Sequence, residues 1–152
     1  MLVVDTSVLI DAMIPVKGRE DRAEAAQSVI SVAEEKGIPL LMPRLGIVET
    51  ISLVMRLSGK EEALELVIEY LDSRVLQVSE DWIFEDAKEI AKKIHPRAAD
   101  SYFIATAKKF NALLVSSDRD MVSRARKLNI PAFYVLDDSD RTQLLETLGG
   151  VV

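Results

Sequence analysis

The sequence predicts an α/β fold in which a mainly parallel sheet is covered by helices on both faces. Two observations carry this expectation. Short apolar runs alternate along the chain with longer stretches whose apolar residues recur at helical spacing. The short runs are also near-continuously apolar, as in strands buried on both faces, and lack the alternation of a half-exposed sheet.

The elements follow in order. LVVD (2–5) is a strand, and a helix starts at Thr6 and fades before Pro15. Residues 16–21 are polar and contain Gly18, hence a loop. Residues 22–36 read as a helix with Ala23, Ala26, Val29, Ile30 and Ala33 on one face, stopped by Gly37 in the position after its C-cap. PLLMP (39–43) is a strand closed by Pro43, residues 44–57 an apolar helix broken by Gly59, and 61–71 a further helix. VLQV (75–78) is a strand, and 81–94 a helix ended by Pro96. Residues 100–110 form a helix opened by Asp100, LLVSS (113–117) a strand, and 119–128 a helix. AFYV (132–135) is the last strand, and a weaker helix near 140–147 precedes Gly149–Gly150. With no linker or repeat to divide it, the chain reads as a single domain over 1–148 with a short tail at 149–152.

Composition narrows the chemistry. The 152 residues include no Cys and a single His, which removes thiolate sites, disulfides and any centre needing two imidazoles. No apolar run approaches the roughly 20 residues of a membrane span, and the N-terminus lacks the basic flank of a signal peptide, so a cytoplasmic protein is expected. Net charge is −6, yet residues 88–127 hold ten Lys or Arg against four acids, a local +6 that leaves −12 on the remainder. That asymmetry suggests a basic surface on an acidic body, with solvated helix faces as the plainer reading.

Four carboxylates stand in unusual places. Asp5 and Asp118 follow the first and fourth apolar runs directly, and Asp100 begins DSYFIATAKKF. Glu49 is the only charge between Arg44 and Arg56. Taken singly, the three Asp residues read best as N-caps, and Glu49 as an outward-pointing polar residue. Taken together they do not. Ligand sites in parallel sheets collect beyond the carboxyl ends of strands. Clustered carboxylates without nearby bases repel one another at neutral pH. A hard divalent cation, Mg²⁺ or Mn²⁺, relieves that repulsion.

The blocks VVDTSVLID, Pro43 to Glu49, AADSYFIATA and LVSSDRDM resemble, in order and spacing, the four blocks of PIN-domain nucleases, including the VapC-type toxins. The resemblance spans nearly the whole chain. It implies a three-layer α/β/α sandwich, Mg²⁺ or Mn²⁺ bound by acids, hydrolysis of RNA phosphodiesters, an antitoxin partner and a homodimer. Carried over by position, Asp5, Glu49, Asp100 and Asp118 are the catalytic and metal-binding acids. Thr6, Ser7, Ser116 and Asp120 support them. Met121 stands where an aromatic is usual, a departure that touches packing rather than chemistry. Arg97, three residues before Asp100, and Lys92 and Lys93 are candidate phosphate contacts. Asp11 reads as structural or supporting, His95 as a loop residue near the site, and Trp82, Tyr102, Phe103 and Phe110 as core or interface.

Competing readings are weaker. A receiver-like phosphotransfer domain wants an adjacent acidic pair after the first strand, where Thr6 and Ser7 stand, and a haloacid-type phosphatase wants a second Asp at Ser7. A catalytically silent module that binds RNA or protein is the remaining alternative.

Overall fold

The computed structural model describes residues 1–150. Its elements are β1 (Leu2–Val4), α1 (Thr6–Met13), α2 (Glu20–Glu35), β2 (Leu40–Pro43), α3 (Arg44–Ser58), α4 (Glu61–Arg74) and β3 (Val75–Val78), followed by α5 (Glu80–Ile94), α6 (Ala98–Phe110), β4 (Leu113–Ser116), α7 (Arg119–Lys127), β5 (Ala132–Tyr134) and α8 (Asp138–Gly150). The five strands form one parallel sheet in the order β3-β2-β1-β4-β5.

That order explains the layers. The chain steps from β1 to β2 to β3 in one direction, returns to β4 on the far side of β1, and then continues to β5. Right-handed crossovers therefore put the helices of the first two steps on one face and those of the last two on the other. Accordingly α1, α2 and α3 pack together, with α4 against α3, whereas α5 packs on α6 and α7 covers β4 and β5. Helix α8 returns to the first face beside α2. The result is the expected three-layer α/β/α sandwich. Strands β1, β2 and β5 consist of apolar residues that are almost wholly buried, which is why they read as unbroken runs. β3 is an edge strand, and its middle residues Leu76 and Gln77 are exposed.

Several boundaries differ from the sequence-based expectation. β1 ends at Val4, so Asp5 belongs to the turn and caps α1. Helix α6 begins at Ala98, so Asp100 does not open it but sits in its first turn, where an acid suits the positive helix end. Helix α4 continues to Arg74, directly into β3. α8 spans Asp138–Gly150, longer than the expected 140–147, and so includes Gly149 and Gly150; residues 151–152 of the expected tail lie outside the described residues. Gly37 takes φ 65° after α2, as its place in the sequence predicts, and the following Ile38 N–H donates to Ala33 O at 2.8 Å. Among the described residues, no helix is long and apolar enough to cross a membrane.

Gly46 in α3 packs closely against β2 and α6. A Cβ there would lie 2.5 Å from Met42 Cγ and 2.8 Å from Phe103 Cζ. Gly46→Ala therefore forces the buried Met42 and Phe103 side chains apart, and is expected to destabilise by about 1–3 kcal/mol. Chemical denaturation checks this; an unchanged midpoint would mean that the two side chains yield freely.

Candidate active site

The strand order reverses between β1 and β4, which run side by side in register from Leu2 opposite Leu113 to Val4 opposite Val115. In an open α/β sheet this switch leaves a crevice at the carboxyl ends, where successive crossovers depart to opposite faces. Asp5 follows β1 and Asp118 lies two residues beyond β4, so the two acids flank that crevice.

Short-range bonds link all four acids. Asp5 Oδ1 accepts from the Thr6 N–H at 2.8 Å, and the Thr6 hydroxyl donates to Glu49 Oε1 at 3.2 Å. Ser116 donates its hydroxyl to Asp5 Oδ2 at 2.6 Å and accepts from the Asp118 N–H at 2.9 Å. Asp118 Oδ1 in turn caps α7, accepting from the N–H groups of Asp120 and Met121. Arg97 closes the series: its Nε lies 3.5 Å from Asp100 Oδ2 and its Nη2 3.3 Å from Asp118 Oδ2. Glu49 thus faces the site across 43 residues of chain, and the outward-pointing reading does not apply. For Asp118 the cap and the site are one residue, because a free strand-end carboxylate and a helix start coincide there.

The electrostatics follow from the crowding. Burial pushes the Asp5 carboxyl up to about 6; the Ser116 hydrogen bond opposes this, and the charges of Asp100 and Glu49 add to it. Glu49 and Asp100 are also raised, chiefly by burial, with Asp100 acting on the first and Asp118 on the second. Arg97 is held more firmly protonated by Asp100 and Asp118. These acids therefore sense one another and the one exposed guanidinium.

The other predicted residues divide. Ser7 donates to Asp5 Oδ2 at 3.4 Å and joins Ser117 at 2.5 Å. Asp120 is mostly exposed and its carboxylate pairs with Arg124 at 2.8 Å, so its side chain reaches the site only through its charge on Asp100. Lys92 and Lys93 are exposed on the last turn of α5, Lys93 paired with Glu89. Much of the basic stretch is neutralised by neighbours, some outside the 88–127 window: Lys88 pairs with Glu85, Lys108 with Asp86 and Arg126 with Asp140. His95 ends α5 with φ 53° and accepts at its carbonyl from Arg124. Phe103 is core, whereas Trp82 is exposed.

Sequence reasoning missed Arg22. It donates from Nε to the buried Asp11 at 3.1 Å and from Nη2 to Ser117 at 3.4 Å, joining α2 to the hydroxyls beside Asp5. The available signal was Asp11 itself, an acid in a helix that is otherwise almost wholly apolar and so in need of a base. Arg22→Ala is expected to cost about 1–3 kcal/mol, because Asp11 keeps only the looser Arg19 contact at 3.9 Å. A thermal midpoint within a degree of wild type would show that the pair contributes nothing.

The donor set fits a hard divalent cation in chemistry: four carboxylates, neighbouring hydroxyls and no soft ligand. In position, no three His, Asp or Glu side chains among the described residues are grouped to enclose such an ion as they stand. Arg97, placed between Asp100 and Asp118, supplies the local positive charge.

Comparison with known proteins agrees with this architecture. No curated protein matches the sequence. Among solved structures, FitAcB from Neisseria gonorrhoeae superposes with a TM-score of 0.59 at 19% identity, covering 89% of this chain and 98% of that one. At such identity the likeness speaks to the fold. The PIN domain family model matches residues 2–128, from β1 to the residue after α7. PIN domains are generally nucleases and typically use divalent metals. Spanning most of the sequence and all four acids, the match establishes that this chain belongs to the PIN domain family.

Proposed function

We propose that the protein is a Mg²⁺- or Mn²⁺-dependent endoribonuclease, the toxin of a toxin–antitoxin pair, in which Asp5, Glu49, Asp100 and Asp118 hold the metal. The observation that carries this reading is the continuous bonding of these acids through Thr6, Ser116 and Arg97. When bound, a divalent cation supplies charge neutralisation at the phosphate and activation of the attacking water. The chain's own groups do the rest. Thr6 orients Glu49, and Ser116 orients Asp5. Arg97, largely exposed and already drawn to the acids, offers its guanidinium to a phosphate oxygen. Lys92 and Lys93, exposed on the last turn of α5, are proposed as further phosphate contacts. The antitoxin is proposed as a protein partner. Exposed apolar residues Leu76 on the edge strand and Trp82 on α5 support a homodimer.

The spread of the acids and the Arg97 ion pairs favour one second reading, a silent module that binds RNA without cutting it. Incubating a mixed RNA pool with purified protein and Mn²⁺ separates the two. Cleavage suppressed by EDTA supports the nuclease; RNA binding with no cleavage supports the module.

A further inference from the structure

The geometry points to a nucleobase-stacking subsite beside the acids, built by Arg119 and Tyr134, that holds one base of the RNA flanking the cleaved bond. This inference rests on the endoribonuclease reading above and adds to it a named contact with the substrate.

A cavity of about 450 Å³ opens at the carboxyl end of β5, lined by Arg119, Val122, Ser123, Arg126, Tyr134, Asp137 and Asp140. Its place is set by the sheet. Tyr134 is the register partner of Ser116, the residue whose hydroxyl binds Asp5, so its backbone lies one strand over from Ser116, about 4.8 Å in strand spacing. Arg119 is the residue after Asp118, and its guanidinium lies 5.0 Å from the centre of the Tyr134 ring. A polynucleotide whose phosphate rests on the acids has its neighbouring base within reach of this pair.

The chemistry of the walls suits a base. Arg126 is neutralised by Asp140 at 2.8 Å, and the same carboxylate holds the Tyr134 N–H at 2.9 Å, which fixes the ring's backbone. Arg119 differs: among the described residues no carboxylate pairs with it, and it is exposed. An unpaired guanidinium laid over a tyrosine, next to a phosphodiester site, presents a flat cationic surface. Unstacked RNA bases lie on such surfaces, with each base offering its π-face whatever its identity.

The test uses oligoribonucleotides carrying 2-aminopurine at successive positions around the cut, bound to the full-length Asp100→Asn chain so that they are not consumed. Stacking quenches this fluorophore. Quenching is expected at one position, lost when Tyr134→Ala or Arg119→Gln is added and kept with Tyr134→Phe. RNA binding should weaken roughly 5- to 100-fold with the first two, as for loss of one base–aromatic stack. In the cleaving enzyme the same two changes should raise KM more than they lower kcat. Arg119→Gln alters an exposed side chain, so it reports even if Tyr134→Ala unfolds. Quenching and affinity unchanged by Arg119→Gln and Tyr134→Ala, while the chain with Asp100 intact cleaves RNA, would overturn the subsite alone. A wild-type chain that binds no oligoribonucleotide overturns the subsite and the ribonuclease reading together.

Discussion

Asp100→Asn is expected to lower Mn²⁺-supported RNA cleavage on the order of 10²–10³-fold, the loss typical of removing one preorganised electrostatic group from a reacting centre. The substitution keeps the shape of the side chain in the first turn of α6 and removes its charge. The fold should hold, because Asp100 is only half-buried and its one ion-pair partner, Arg97, is largely exposed. Glu49→Gln and Asp118→Asn should behave alike, for both carboxylates bond to groups that also touch another member of the set. Initial rates on a labelled oligoribonucleotide, with circular dichroism as a control for folding, measure this. Retention of full activity by three of the four single variants would show that these acids do not form the reacting centre.

Asp5→Asn should raise metal-free thermal stability while abolishing cleavage. The carboxyl titrates near 6 in the folded chain against an ordinary value of 3.8. Between those values the folded state holds a proton that the unfolded state has released. Stability contributed at this site is therefore full below about pH 4, falls as pH rises through 6, and stays lowered above it by roughly 3 kcal/mol. Asn carries no charge to desolvate and escapes that penalty. It also disturbs the Ser116 hydrogen bond, which offsets part of that gain. A rise of about 4–8 °C at pH 8 is expected for a chain of this size, narrowing toward zero near pH 4. Saturating Mn²⁺ should stabilise the wild type and leave the variant unmoved, since binding to the folded state adds stability only where the ligand is held. Differential scanning fluorimetry of both proteins across pH 4–8, with and without Mn²⁺, decides the matter. A variant less stable than wild type at pH 8 would show that burial does not strain Asp5.

Comparing the two proteins matters because many groups titrate over the same range. Their contribution is common to both chains and cancels in the difference.

Strands β1, β2 and β5 were legible because they are buried on both faces, and a doubly buried strand has to be apolar along its length; edge strand β3 is buried only at Val75 and Val78. Boundaries were less so. Asp5 looked like the end of a strand, but the ladder stops at Val4 where the chain turns into α1. Asp100 looked like a helix start because the Ala98–Ala99 step before it carries no stop or start signal of its own. The basic stretch looked like a surface for RNA because its partners Glu85, Asp86 and Asp140 lie outside it in sequence.

By itself the sequence singled out the acids of the proposed site: lone acids placed after apolar runs or inside an apolar helix announce themselves, because burying an unpaired charge is costly enough to need a purpose. Only the tertiary structure decided what each one touches. Thr6 against Glu49, Ser116 against Asp5, Arg97 against Asp118 and Arg22 against Asp11 are contacts across 43, 111, 21 and 11 residues. None follows from local periodicity. The widest of them exists because the crossover from β3 returns the chain to the far side of β1 and lays β4 beside it.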